Sequence, residues 1–218
     1  MEAVDNLILS HPQHLAARFA TLLRRLGATT PVDEVHAALA AAWNEPHRVH
    51  HGASHLVDCL EQLDGAPAEG ADRMVVEAAL WFHDAVYNPR ATGNETRSAA
   101  WASRAMAEAG VPPPTGAEVA RLILLTRHTA PAADPAGYLA CDVDLSILGR
   151  EPERFAEFER RIRAEYSWVA EDTYRAVRAD ILEGFLRRSP LFLTSHFRRK
   201  YELQARLNIE GAVRNLNR

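Results

Sequence analysis

Apolar residues recur along this chain at spacings of three and four, the mark of helices that bury one face. Strict alternation and hairpin dipeptides are scarce, so the pattern predicts an all-α fold of nine or ten helices. The first runs from about His11 to Leu26 and stops at Gly27. The second covers Val32 to Trp43, ahead of Pro46. A third, from about Ser54 to Leu63, is entered through the histidine-rich stretch His47 to His55 and followed by a loop over Gly65 to Gly70. The fourth, Asp72 to about Asp84, carries Met74, Val75, Val76, Ala78, Ala79, Leu80, Trp81 and Phe82. A helix apolar all round belongs at the centre of a bundle. Asn94 stands where it would cap a fifth helix, Glu95 to Ala109. Pro112 to Pro114 read as a hard break before a sixth, Gly116 to His128. A short segment, Tyr138 to Leu148, ends at Gly149. Three stripes then predict longer helices with an apolar face: Phe155, Phe158 and Ile162; Val177, Ile181 and Phe185; Phe197, Tyr201 and Ala205. The natural boundary lies near Gly149 to Pro152.

Composition narrows the class. The length of 218 residues suits one domain, or one domain with an added helical lobe. Hydrophobic residues at 47% and charged residues at 25% fit a globular protein with a large core. A net charge of -4 excludes the strongly basic footprint of a nucleic-acid binder. Lys200 is the only lysine, a bias that weakens any argument from a single arginine. Cys59 and Cys141 form no Cys-x-x-Cys pair, which argues against a thiolate zinc site and a disulfide framework. Residues Met1 to Ser10 have no basic start, and no stretch reaches the ~18 apolar residues of a membrane span. The expected compartment is the cytoplasm.

Three elements could carry chemistry. His83-Asp84 ends the most apolar helix, and no Lys or Arg lies between Met74 and Asn88. A buried carboxylate needs a counter-charge, so a partner distant in sequence is required, and a cation is economical. The bland alternative is a capping Asp beside a hydrogen-bonded core histidine. The second element is His50-His51-Gly52-Ala53-Ser54-His55. If a helix starts there, His51 and His55 lie one turn apart, although a solvated cluster explains them as well. The third is Cys141-Asp142-Val143-Asp144-Leu145-Ser146, where either acid could cap a helix or supply an oxygen to a cation.

Together these elements resemble the HD superfamily of metal-dependent phosphohydrolases, whose pattern is an upstream His, a His-Asp doublet and a downstream Asp on a helical bundle. The matching residues are His55, His83-Asp84 and Asp144. The closer similarity is to a bacterial branch of that superfamily, through Glu45 to Arg48, Trp81 to Tyr87, Asn94-Glu95, Asp142 to Gly149, Ile162 to Tyr166 and Ala205 to Asn208. It covers nearly the whole chain. The stretch 50–55 also looks like that of cyclic-nucleotide phosphodiesterases, with Tyr replaced by His50 and Asn by Gly52. Asp144-Leu145-Ser146 matches the last metal Asp of that group, so the resemblance favours Asp144 as ligand, with Asp142 as fallback.

The resemblance implies an HD-domain helical bundle over residues 1–218. Its metal-site core spans about 30–150, and additional C-terminal helices span about 151–218. It implies metal ligands His55, His83, Asp84 and Asp144 around one divalent cation (Mn, Mg, Fe, Co, Ni or Zn). Metal-activated water would attack phosphorus, with His51 as proton donor to the leaving oxygen. Glu95 and His128 are further candidates beside the reacting groups, and Arg163 and Tyr166 could line the pocket. The basic run Arg187, Arg188, Arg198, Arg199 and Lys200 reads as a solvated face. The expected substrate is a small phosphorylated metabolite such as a nucleotide. No nucleic-acid polymer or membrane is expected as partner, and a homodimer is compatible with the chain. Two other readings stay open: a di-iron oxygenase of the same fold, and a non-catalytic module that keeps the metal as cement.

Overall fold

The computed structural model describes residues 12–67 and 72–218. Among these residues there are ten α-helices, one 3-10 helix and no strand, so the chain is all-α. Among them, too, no helix is long and apolar enough to cross a membrane. The chain divides into two compact units, Met1–Cys141 and Asp142–Arg218. The division falls inside a helix, upstream of the expected Gly149–Pro152 boundary. His11, the N-terminal segment Met1 to Ser10 and the tip of the expected 65–70 loop lie outside the described residues; Gly65 itself is helical.

The first unit holds α1 (Pro12–Arg25), α2 (Asp33–Trp43), α3 (Ala53–Gly65), α4 (Arg73–Phe82), α5 (Asn94–Glu108), α6 (Pro113–Leu125) and most of α7 (Pro135–Asp144). The apolar helix α4 is central, as its pattern predicts: it packs on α1, α3, α5 and α6. Asp72 starts it, its side chain accepting from the backbone N–H of Met74 and Val75. Phe19, Leu23, Leu39, Leu63, Leu80, Phe82, Leu122 and Ile123 form the core around it. Gly27 ends α1 as expected, at φ +101, with Gly27 N–H on Arg24 O (3.0 Å) and Ala28 N–H on Leu23 O (2.9 Å).

Two expected boundaries move. Pro113 and Pro114 do not hold α6 off but open it, in the first turn where no N–H is missed. Asn94 is not a cap. Gly93 takes that position in a left-handed conformation, and the Asn94 side chain instead pairs with both backbone groups of Asn88 (3.2 and 3.1 Å).

The second unit begins in the last turn of α7 and continues through the 3-10 helix (Leu145–Gly149), α8 (Pro152–Glu165), α9 (Glu171–Leu186) and α10 (Ser195–Leu216). The 3-10 helix packs on α8 and α10, and α9 packs on α10. Phe155, Phe158 and Ile162 are buried, as are Phe197, Tyr201 and Ala205. The middle stripe is a correction: Val177 and Ile181 are 55% and 47% exposed, and α9 buries Tyr174, Ala179 and Leu182 instead. The 3-10 helix is tied down by Asn208, whose amide donates to Leu148 O (2.9 Å) and Arg150 O (2.8 Å).

Candidate metal centre

The end of α4 creates a demand for donors. The last carbonyls of any helix have no partner within it. Here side chains meet that demand. His83 Nδ1 lies 2.9 Å from Leu80 O. Trp43 Nε1 donates to Trp81 O at 3.0 Å, and Arg48 donates to Asp84 O (2.6 Å) and Ala85 O (3.1 Å). Ser98 Oγ accepts from Val86 N (3.0 Å), fixing the following turn to α5.

The first of these contacts settles a tautomer. Leu80 O can only accept, so Nδ1 of His83 carries the proton, and in the neutral ring Nε2 presents a lone pair. That Nε2 faces His55 Nε2 at 3.1 Å and Asp84 Oδ2 at 3.2 Å, and His55 Nε2 stands 4.0 Å from the same oxygen. All three residues are buried. A proton on His55 Nε2 satisfies one of the three approaches. With His83 neutral its lone pair is left against the Asp84 carboxylate, and a second ring proton on His83 or a metal cation makes that approach favourable. A cation relieves all of them together.

The spacing suits a cation as well. Donors about 2.1 Å from a metal lie about 3.0 Å apart when adjacent on an octahedron and about 4.2 Å apart when opposite. The 3.1 and 3.2 Å separations match the adjacent case, and 4.0 Å approaches the opposite one. His55, His83 and Asp84 could therefore hold a metal ion, with the His83 imidazole locked through its other nitrogen by a backbone carbonyl, as metal-bound histidines commonly are.

Burial alone would raise the Asp84 pKa. The charge and hydrogen bond of His83, followed by His51 and His55, outweigh it and hold the carboxyl well below the usual range. The counter-charge of this buried acid is thus a set of imidazoles, the adjacent His83 first and the more distant His51 and His55 after it. The nearby cation Arg48 bonds the carbonyl of Asp84 rather than its carboxylate.

Around the ligand atoms stands an aromatic wall. The Trp43 ring lies 5.5 Å from that of His83 and 6.4 Å from that of His55. His51 stacks on Tyr87 at 4.4 Å and 25°, and its ring centre is 6.0 Å from His55. The helix-face argument for His51 fails, since α3 begins only at Ala53 after the cap residue Gly52. His51 comes near by a turn in the chain instead. His50, buried and 4.9 Å from the His55 ring, is closer still, and only its place in the histidine run hinted at it.

The other sequence candidates take the following positions. Glu95, in the first turn of α5, faces Arg127 at 3.6 Å, and Arg127 also bonds the Thr96 hydroxyl. His128 is not the end of a helix: α6 stops at Leu125, and His128 sits at φ +56, a left-handed conformation that histidine tolerates better than most residues. Asp144 is the last residue of α7 and adjoins the 3-10 helix without capping it.

Asp142 has a structural task in the second unit. Its oxygens accept from Leu193 N (2.8 and 3.0 Å), Thr194 N (2.7 Å) and the Thr194 hydroxyl (2.8 Å), while burial pushes its pKa up to about 6 against these donors. Arg163 has partners within its own unit. It closes the end of α8 through Tyr166 O (2.7 Å) and Val169 O (3.2 Å) and pairs with Glu171. Arg187, Arg198, Arg199 and Lys200 are exposed, as a solvated face requires.

No family description, curated protein or solved structure matches this chain.

Proposed function

We propose that the chain is a metal-dependent phosphohydrolase of the HD type, cleaving a phosphoric ester in a small phosphorylated metabolite, with a nucleotide as the first candidate. The observation that supports this reading is the meeting of His55 Nε2, His83 Nε2 and Asp84 Oδ2 within 4.0 Å in a buried position. The resemblance adds Asp144 to the proposed ligand set as a second carboxylate.

A divalent cation supplies Lewis acidity, making water nucleophilic at neutral pH and offsetting charge on a phosphoryl group. The protein's own part is orientation and proton management. Leu80 O fixes the His83 ring, and Arg48 and Trp43 fix the turn that carries Asp84. His51, held flat against Tyr87, keeps a proton for the departing oxygen.

The test is elemental analysis of the purified protein, followed by a phosphatase and phosphodiesterase screen against nucleotides with Mn, Mg, Co, Ni and Fe varied in turn. Activity with at least one metal is expected, and His83→Ala should lose bound metal and activity together. Full activity in metal-free His83→Ala protein refutes the proposal. Two irons per chain with oxygen-dependent turnover would replace it with the oxygenase reading.

A further inference from the structure

We propose that Arg48 is a positioning residue that holds the His50–His55 segment and the His83–Asp84 pair at the separation needed to bind a metal. The inference rests on the metal reading above and extends it to a residue outside the ligand set.

The Arg48 side chain is fully buried. Its guanidinium joins three stretches of the first unit. Nε donates to Glu45 Oε2 at 2.9 Å, just after α2. Nη1 donates to His51 O (3.0 Å) in the turn that leads into α3, and to Asp84 O (2.6 Å) after α4. Nη2 donates to Ala85 O at 3.1 Å. The planar group sits near the rings of Trp43 (5.7 Å) and Tyr87 (5.5 Å). Those rings in turn adjoin His83 and His51.

Two features favour a role toward the site over a plain packing role. First, the same nitrogen, Nη1, bonds the backbone on both sides of the ligand cluster, so its position fixes the gap across which His55 and His83 face each other. Second, both of its bonds to the Asp84 turn go to carbonyls. A guanidinium this close could have neutralised the Asp84 carboxylate and competed with a cation; bound to the carbonyl, it leaves the carboxylate to the imidazoles. Lysine cannot reproduce all four bonds, because its donors radiate from one nitrogen, whereas the guanidinium spreads them over Nε, Nη1 and Nη2.

The experiment measures Co²⁺ and Mn²⁺ affinity by calorimetric titration, with the visible absorption of bound Co²⁺ as a second readout. Wild type, Arg48→Lys, Glu45→Ala and His83→Ala are compared at a temperature where the circular dichroism of each matches the folded protein. Arg48→Lys should bind Co²⁺ about 10- to 100-fold more weakly, as expected for loss of a group supporting metal ligands. Its Co²⁺ absorption band should shift. Glu45→Ala, which frees Nε alone, should weaken binding by about threefold, in keeping with a half-exposed ion pair.

A packing role alone lowers the melting temperature but leaves affinity and absorption as in wild type; that result in folded Arg48→Lys overturns the proposal. Should Arg48→Lys not fold, wild-type affinity in Glu45→Ala overturns it. If wild type binds neither metal, the metal reading itself falls. If wild type binds and His83→Ala does not, that reading stands whatever Arg48 does.

Discussion

Gly149 offers the sharpest test of the packing in the second unit. A methyl group there would lie 2.4 Å from Tyr201 Cβ, 2.8 Å from Tyr201 O and 2.9 Å from Tyr201 Cα. Two of those atoms are backbone, so no side-chain rotation relieves the clash. Carbon atoms prefer about 3.5–4.0 Å, and α10 must therefore withdraw from the 3-10 helix by about 1 Å. The same movement stretches both Asn208 bonds, now 2.9 and 2.8 Å, beyond hydrogen-bonding range. Overpacking costs about 1–3 kcal/mol, and two lost hydrogen bonds add about 1–3 kcal/mol. Gly149→Ala should thus destabilise by about 2–6 kcal/mol. For a chain of this length that lowers the melting temperature by roughly 10 °C. Urea and thermal denaturation followed at 222 nm measure it. Because Asn208→Ala loses bonds that the glycine variant already strains, the double variant should cost less than the sum of the singles. A Gly149→Ala protein within 1 kcal/mol of wild type would show that α10 and the 3-10 helix are not in this close contact.

Two further outcomes follow from the same unit. Asp142→Ala strands the N–H groups of Leu193 and Thr194 and should cost about 2–4 kcal/mol while metal affinity stays as in wild type; lost affinity with unchanged stability would make Asp142 a ligand after all. Glu202 accepts from Leu191 N, Phe192 N and Arg206. Burial raises its pKa, but these donors outweigh it and hold the carboxyl below its ordinary value of 4.5. A lowered pKa stabilises the fold above pH 4.5, and that gain disappears as pH falls through the lowered value. Glu202→Gln should therefore cost about 1 kcal/mol at pH 7, with the gap to wild type closing in acid; a gap that is the same at pH 3 and pH 7 would contradict this.

The sequence was most informative where one rule acted alone. A helix with eight apolar residues interrupted only by Glu77 belongs at a buried centre, and α4 is one. The i+4 spacing of Val177, Ile181 and Phe185 found a helix but not its buried side. Periodicity names a face, whereas coverage depends on which neighbour arrives, and α9 is covered at Tyr174, Ala179 and Leu182. The prolines at 112–114 read as a break because Pro ends helices, yet Pro also starts them. In the site, His83 and Asp84 were legible through apolar context and the doublet, and His55 through the resemblance. The role of Arg48 was not. Three of its four bonds run to backbone carbonyls, which every residue possesses and no pattern of side chains reveals.

The last turn of α4 and the turn after it are held through their carbonyls by Trp43, His83 and Arg48. Mutational tolerance around it should consequently be lopsided. At Ala85, 3% exposed, an exchange is limited only by the volume that fits, since its oxygen remains whatever the side chain. At positions 43, 48 and 83 the donor is the side chain itself, and no residue of similar size offers the same nitrogen in the same direction.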